Sequence, residues 1–307
     1  MLITLFRMLR HYWTFRPPLI ARPLHIQQHS YKIRSKILSL VVRYYLAILF
    51  TYICNTLAIG QGIAVSPSRI FFTGAAGQTT SQAITFSNTS ANEFYFVANI
   101  KDWDRDSLGL KRYYPTANKP TSNASWLSLS DNTVRLAPGE TKSINLTMTV
   151  PRSEPSQLTN SMLFFTQVKE QKKDLAQGLN VNVLLEVGIQ IYHTPTGLRP
   201  GDLEFLAFED RGIIKNTNGI AVRRMDVKVK NTGQINKDAY VRFELTNTQT
   251  GEEIPIKAIT IAMLPEAEQW VQVDLPEKLS PAPYLAVAIL DAGSQYDLKI
   301  AEKEIKY

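Results

Sequence analysis

Cysteine and histidine, two residue types that often perform catalysis or hold a metal ion, are rare in this 307-residue sequence. The sequence contains one cysteine, Cys54, and four histidines, of which only His193 lies after residue 60. Beyond that point the chain cannot form a disulfide, use a cysteine nucleophile, or build a zinc site from cysteines or several histidines. A Ser-His-Asp triad would have to use His193, which the strand pattern places at the end of a strand, next to a linker.

Three aspartates, Asp102, Asp104 and Asp106, alternate with Trp103 and Arg105. Such spacing can bind Ca²⁺, but the segment lacks the glycine and the distal glutamate of an EF-hand loop, so it favours a solvated acidic loop over a metal site. The sequence also contains no G-x-S-x-G, P-loop or HExxH motif. We therefore expect no catalytic residue, no metal and no cofactor, and we expect that the protein is not an enzyme.

The net charge of +7 is concentrated at the N-terminus. Residues 1–60 contain eight of the 34 Lys and Arg residues and no Asp or Glu, which leaves 26 basic residues against 27 acidic ones in the body of the chain. A protein that neutralises many phosphates needs a surplus of cations, and the body has none overall. We expect no nucleic-acid partner.

Residues 1–60 have the pattern of a leader with a signal peptide. A basic cluster, Lys32–Lys36, precedes an apolar run at 37–54, and the small-x-small sequence Ala58-Ile59-Gly60 follows. This order predicts export with cleavage near Gly60, and Arg43 within the run favours transient insertion. The alternative is an uncleaved signal anchor. The prediction is a periplasmic protein that meets the membrane only through its leader.

The body consists of short runs of alternating apolar residues separated by Gly, Pro, Asn and Ser, which predicts an all-β fold. Seven or so strands per hundred-odd residues are typical of an immunoglobulin-like β-sandwich. The predicted strands are Ile63–Phe72, Gln82–Asn88, Phe94–Trp103, Trp126–Leu129, Val134–Leu136, Ser143–Val150, Met162–Lys169 and Leu179–His193, then Leu203–Phe208, Arg224–Lys230, Tyr240–Thr246, Ile254–Ile261, Trp270–Leu275, Tyr284–Leu290 and Leu298–Ile305.

The stretch Thr194–Gly201 contains two prolines and two glycines and predicts a linker. We expect a leader at 1–60, one sandwich at 61–196 and a second at 197–307. A weak repeat supports this division. Asn88 and Asn231 each end a strand at a turn, and the segments beginning Leu136-Ala137-Pro138 and Leu264-Pro265 each precede a later strand.

One predicted strand is unusually long. From Leu179 to Ile191 every odd position is apolar, and at about 3.3 Å per residue the segment would span roughly 43 Å. Two interpretations are open. Either the apolar face fills the core of the first sandwich, or part of it is shown to a partner that binds by adding a strand.

Taken in order, these segments resemble the PapD-like periplasmic pilus chaperones across nearly all of residues 62–307. The second half is similar to the divergent form found in Bacteroidetes-type bacteria. The resemblance is carried by segments at 65–72, 87–90 and 136–140, the alternating strand ending Ile191-Tyr192-His193-Thr194-Pro195, and segments at 231–233, 264–265 and 284–291.

The resemblance implies two tandem immunoglobulin-like domains in an L or boomerang arrangement. It also implies that the last strand of the first domain lends apolar side chains to an incomplete pilin-like subunit; by position these are Val181, Val183, Leu185 and Val187. The client's C-terminal carboxylate would be anchored by an arginine, here Arg69, and by a lysine. The position of that lysine holds Gln190 in this sequence, which weakens the expected anchor because an amide carries no charge.

The leading hypothesis is therefore a periplasmic chaperone for a β-rich secreted subunit, acting by strand donation from residues 179–191. The resemblance leaves open an outer-membrane usher as a second partner. The alternative is a structural or adhesive protein of the cell surface or of fimbriae.

Overall fold

The computed structural model describes residues 43–45, 62–153, 156–168, 184–276 and 279–306. Residues Gln61–Tyr307 form one compact unit. Apart from residues 43–45, the predicted leader and its signal peptide lie outside the described residues. In these ranges no helix combines the length and the apolar character needed to cross a bilayer.

Several strands between residues 63 and 193 alternate more buried with more exposed side chains. In β3, for example, Ile84, Phe86 and Asn88 are buried and the residues between them are less so. The strands are β1 (Ile63–Ser66), β2 (Arg69–Phe72), β3 (Thr79–Asn88), β4 (Phe94–Arg105), β5 (Lys111–Tyr114), β6 (Leu127–Leu129), β7 (Thr133–Leu136), β8 (Thr141–Thr149), β9 (Thr159–Gln167) and β10 (Glu186–His193), with a 3₁₀ turn at Ala124–Trp126.

These strands form the first sandwich. One sheet has the order β1-β3-β8-β6, and the other has the order β2-β10-β9-β4-β5, with β7 also paired to β4. Phe86, Phe96 and Phe165 are fully buried between the sheets. Strand β9 is buried on both faces, because a second apolar cluster that includes Trp103 and Tyr192 covers the outer face of its sheet.

The remaining strands form the second sandwich. Its sheets have the orders β11-β12-β16 and β14-β13-β17-β18, with β15 paired to β13. Val227, Val241 and Ala288 are fully buried in its core. The strands are β11 (Leu203–Lys215), β12 (Ala221–Asn231), β13 (Lys237–Asn247), β14 (Glu253–Pro255), β15 (Ile259–Met263), β16 (Glu268–Asp274), β17 (Pro283–Asp291) and β18 (Lys299–Lys306).

The weak sequence repeat corresponds to the same hydrogen-bonded corner in both sandwiches. Asn88 is buried, and its side-chain Nδ2 donates to the carbonyl oxygen of Ala137 at 2.9 Å. Asn231 is buried in the same way and donates to the carbonyl oxygen of Leu264 at 3.0 Å. In each half the asparagine therefore ties its own turn to the Pro-containing turn that precedes a later strand.

Several predicted strands were wrong in extent; the predicted strand Leu203–Phe208, for example, continues to Lys215. The segment Ile63–Phe72 is two strands, because the chain changes sheets at the cis Ser66–Pro67 bond. The segment Ile254–Ile261 is likewise split between β14 and β15. Of the long segment Leu179–His193, the described part is a strand only from Glu186 onwards, and residues 179–183 lie outside the described residues.

The predicted linker lies between β10 and β11, and the two sandwiches also touch directly. The backbone N–H of Trp270 on β16 donates to the carbonyl oxygen of Ser107, in the turn between β4 and β5, at 2.7 Å. Arg69 on β2 forms an ion pair with Asp238 on β13. The division into domains at residue 196 stays a prediction.

Candidate functional site

The first two strands leave part of β10 without a neighbour. Strand β1 pairs with β3, and only after the switch at Pro67 does β2 pair in parallel with β10. The paired register of β2 begins with Arg69 opposite Gln190 and ends with Phe72 opposite His193. Within the described residues, the edge of β10 from Glu186 to Ile189 that faces away from β9 has no strand beside it.

Hydrogen bonds show which backbone groups face this open edge. The N–H groups of Gln190 and Thr194 donate to carbonyl oxygens of Ser68 and Phe72, on the β2 side. The carbonyl oxygen of Leu185 instead accepts from Gln167, on the β9 side. Because successive residues of a strand alternate direction, the N–H and C=O groups of the even residues Glu186 and Gly188 point towards the open edge.

The odd positions of β10 divide into two groups. Ile189 and Ile191 are fully buried in the core of the first sandwich. Val187 is half-buried, and Leu185 packs only partly against that core. The apolar row therefore belongs to the core at its C-terminal end and becomes accessible towards Leu185. Val181 and Val183 lie outside the described residues.

The two anchor residues expected from the sequence are adjacent. Arg69 and Gln190 are directly paired across β2 and β10. Gln190 is buried, and its Oε1 accepts a hydrogen bond from the hydroxyl of Tyr192 at 2.8 Å. The guanidinium of Arg69 binds the carboxylate of Asp238, and 30% of the Arg69 side chain is exposed.

Aromatic side chains extend the site across the outer face of the sheet. The ring of Tyr192 stacks on Phe71 at 5.2 Å between ring centres and meets the edge of Trp103 at 5.9 Å. The indole N–H of Trp103 donates to the carbonyl oxygen of Ser161 at 3.0 Å. Burial raises the pKa of Tyr192 to about 12, although the nearby Arg69 and Arg105 act in the opposite direction.

Two further cations belong to this face, and the sequence analysis did not select them. Arg105 and Lys111 are cross-strand partners at the end of the β4–β5 hairpin. The alternation of Lys101, Trp103 and Arg105 along β4 was a usable signal, because it places cations and an aromatic ring on one face of a strand.

The expected acidic loop around Asp102 was wrong. Asp102 lies within β4, is fully buried, and its Oδ2 accepts backbone hydrogen bonds from Asn118 and Lys119. Asp104 pairs with Arg112 and Lys119, which hold the pKa of its carboxyl below the ordinary value even though burial acts to raise it. Asp102 therefore holds the loop at residues 118–119, and Asp104 links β4 to β5 and to the same loop. No metal-binding group of His, Cys, Asp and Glu occurs among the described residues.

His193 also has a structural environment. It is the last residue of β10 and is fully buried. Its Nε2 lies 2.8 Å from the carbonyl oxygen of Gly74, and its ring meets the edge of Trp126 at 5.6 Å. His193 therefore lies at the end of a strand, as the sequence predicts. Neither of these two contacts is with a hydroxyl nucleophile.

The chain is similar to solved structures of fimbrial chaperones. A chain of the chaperone–tip adhesin complex of CFA/I fimbriae is 14% identical with a TM-score of 0.41, and the match covers 79% of this chain and 98% of that one. A chain of the CsuC–CsuE chaperone–tip subunit complex of Acinetobacter baumannii is 15% identical with a TM-score of 0.44, covering 78% and 97%. For the SafA pilin–SafB chaperone complex of Salmonella enterica the identity is 14% and the TM-score 0.40, covering 80% and 97%.

All three matches have low sequence identity and TM-scores below 0.5. No protein-family model and no curated protein sequence matches the chain. The relation to the divergent Bacteroidetes-type form stays a prediction.

Proposed function

We propose that this protein is a periplasmic chaperone that holds a β-rich, pilin-like subunit by pairing a strand of that subunit with the open edge of β10. The observation that carries the proposal is the unpaired edge at Glu186 and Gly188, beside the partly accessible side chains of Leu185 and Val187. An exposed sheet edge offers a row of hydrogen-bonding groups that readily pair with another chain. Adding a strand satisfies these groups and fixes the register of the client.

The apolar row provides the second part of the interaction. Leu185 and Val187 would enter the open core of a client that lacks a strand, and Val181 and Val183 extend the same row in the sequence. Each side chain that becomes fully buried contributes about 1.5–3 kcal/mol. The fully buried Ile189 and Ile191 take no part, because they already fill the core of the chaperone.

The location of Arg69 supports an assignment of where the added strand ends. From Gln190 onwards the same edge of β10 is already occupied by β2. A strand that pairs with Glu186 and Gly188 must therefore stop next to Arg69. A guanidinium binds a carboxylate with two parallel hydrogen bonds, so this end of the client strand is its C-terminus. Arg69 and Gln190 form the proposed anchor.

Residues 1–60 supply the export signal in this proposal, so that the protein acts in the periplasm without catalysis and meets the membrane only during export. The two sandwiches, 61–196 and 197–307, form the chaperone. An outer-membrane usher is a second proposed partner.

Charge reversal of the apolar row tests the proposal. The probe is a synthetic peptide in which valine alternates with threonine and which ends in a free carboxylate (the acid peptide). We expect a Leu185→Glu, Val187→Glu variant to unfold cooperatively like the wild type but to lose binding of the acid peptide, because two carboxylates would enter an apolar interface. Fluorescence anisotropy measures the binding, and urea denaturation checks the fold.

Ile300→Glu is the matched control, since Ile300 is 60% exposed on β18, which belongs to a sheet of the second sandwich that does not contain β10. It should bind the acid peptide as the wild type does. Unchanged binding by the double variant, or no binding by the wild type, would contradict the proposal. The second result is also what a structural or adhesive surface protein would give.

A further inference from the structure

Three cations lie around the Trp103 and Tyr192 rings on the outer face of the sheet. Arg69 begins β2, while Arg105 and Lys111 are paired across the β4–β5 hairpin. The guanidinium carbon of Arg105 lies 5.4 Å from the centre of the Trp103 ring, and the ammonium nitrogen of Lys111 lies 5.9 Å from it. We call Arg69, Arg105 and Lys111 the cation cluster.

The aromatic rings connect the hairpin with the proposed anchor. The ring of Trp103, beside Arg105 and Lys111, contacts the ring of Tyr192. The hydroxyl of Tyr192 donates to Gln190, which is the cross-strand partner of Arg69. The hairpin cations and Arg69 therefore flank the same patch of the sheet.

Two of the three cations in the cluster have no ion-pair partner among the described residues. Within the described residues Asp238 forms an ion pair with Arg69, whereas neither Arg105 nor Lys111 forms one. Nη1 of Arg105 donates to the carbonyl oxygen of Gly109 at 2.6 Å. Like charges directly opposite each other on paired strands are destabilising, so a bound anion would relieve this pair.

The pKa directions agree with this geometry. Burial lowers the pKa of Lys111, and the positive charges of Arg105 and Arg69 lower it further. Burial also lowers the pKa of the Arg105 guanidinium; nearby Tyr192 acts against this and Arg69 adds to it. The three positive charges therefore lie close enough to repel one another.

Contacts with the second sandwich hold the hairpin in place. The carbonyl oxygen of Ser107 accepts from the N–H of Trp270 at 2.7 Å. Gly109 lies so close to Gln269 that a Cβ added at Gly109 would be 2.3 Å from Nε2 of that side chain. Arg105 and Lys111 therefore lie on a hairpin that contacts β16 of the second sandwich.

We propose that Arg105 and Lys111 complete the carboxylate anchor with Arg69, in place of the charge that Gln190 does not supply, and that Asp238 occupies this anchor until the terminal carboxylate of the client displaces it. This inference rests on the proposed function. The occupant is a chain terminus because the added strand must end beside Arg69, and it is a carboxylate because the cluster is cationic.

Two peptides that differ only in terminal charge test the inference. The acid peptide is compared with an otherwise identical peptide that ends in an amide (the amide peptide). Hydrogen bonds to charged groups are strong, so we expect the wild type to prefer the acid peptide by about tenfold. Lys111→Gln and Arg105→Gln should each reduce this preference while leaving the affinity for the amide peptide unchanged, and Asp238→Asn should raise the affinity for the acid peptide.

Lys101→Gln is the control, because Lys101 is another cation on the same face of β4 but its ammonium lies over the ring of Phe164 at 4.9 Å. It should keep the wild-type preference. The inference is overturned if Lys111→Gln and Arg105→Gln also keep it. If the wild type binds both peptides equally, this inference is overturned but the strand-addition proposal stands.

A probe that cannot form a strand separates failure of the anion site from failure of strand addition. N-acetyl-valine has a carboxylate but cannot form a strand, and the side-chain Nε resonances of Arg69 and Arg105 report its binding by NMR. If neither peptide binds but N-acetyl-valine shifts both resonances, the anion site stands and the strand-addition proposal fails. If N-acetyl-valine moves neither resonance and neither peptide binds, both proposals are overturned.

Discussion

Gln190 occupies a position where a charged side chain would be costly. Its side chain is buried, it is directly opposite Arg69, and its amide oxygen accepts from the hydroxyl of Tyr192. A lysine here would place an ammonium in a buried site beside a guanidinium, and burial and like charge both disfavour the charged form. A neutral amide that accepts a hydrogen bond from Tyr192 avoids this cost, and in our proposal Arg105 and Lys111 supply the missing positive charge instead.

Tyr192 provides a pH test at the residue scale. Burial raises its pKa from 10.0 to about 12, so the folded protein favours the neutral phenol. This stabilising contribution is fully present below about pH 10 and is lost as the pH rises through about 12. We expect the Tyr192→Phe variant to lose less stability than the wild type as the pH rises through this window, measured by urea denaturation together with phenolate absorbance.

The control for this test is Tyr240→Phe, which makes the same chemical change at a phenol that is 57% exposed. It should follow the wild-type pH dependence of stability. If Tyr192→Phe and Tyr240→Phe behave alike, the environment assigned to Tyr192 is wrong.

At the scale of elements, the β4–β5 hairpin joins the first sandwich to β16 of the second. Its turn requires Gly109, which has a φ of +82° and lies against Gln269. Gly139 also has a positive φ, +73°, but has no neighbouring atom within 4 Å of an added Cβ. The two glycines share the backbone requirement and differ only in the contact.

Replacing each glycine with alanine separates these effects. Both variants should lose about 1–2 kcal/mol from the left-handed backbone alone. Gly109→Ala should lose more, because the buried end of the Gln269 side chain must move away from the added methyl group. Urea denaturation measures both losses. Equal losses for the two variants would show that the Gln269 side chain moves aside without cost.

At the scale of the whole molecule, the sequence predicts the all-β architecture because most strands have one buried face and therefore a period of two. The Asn88 and Asn231 corners were also recognisable, since asparagine suits turns at strand ends. Strand β5 was not, because Lys111-Arg112-Tyr113-Tyr114 has no apolar alternation. The cation cluster could not be predicted either. It depends on which distant strands become neighbours, and that is decided by the switch of the first strand between sheets and by the hairpin contact with the second sandwich.

The most direct test of the account is hydrogen exchange at single amides of β10, measured by NMR with and without the acid peptide. Amide protons of Val187 and Ile189 point towards β9 and should exchange slowly in both states. Those of Glu186 and Gly188 face the open edge and should exchange rapidly in the free protein but become protected when the peptide binds. Slow exchange at Glu186 and Gly188 in the free protein, or no added protection on binding, would contradict strand addition at this edge.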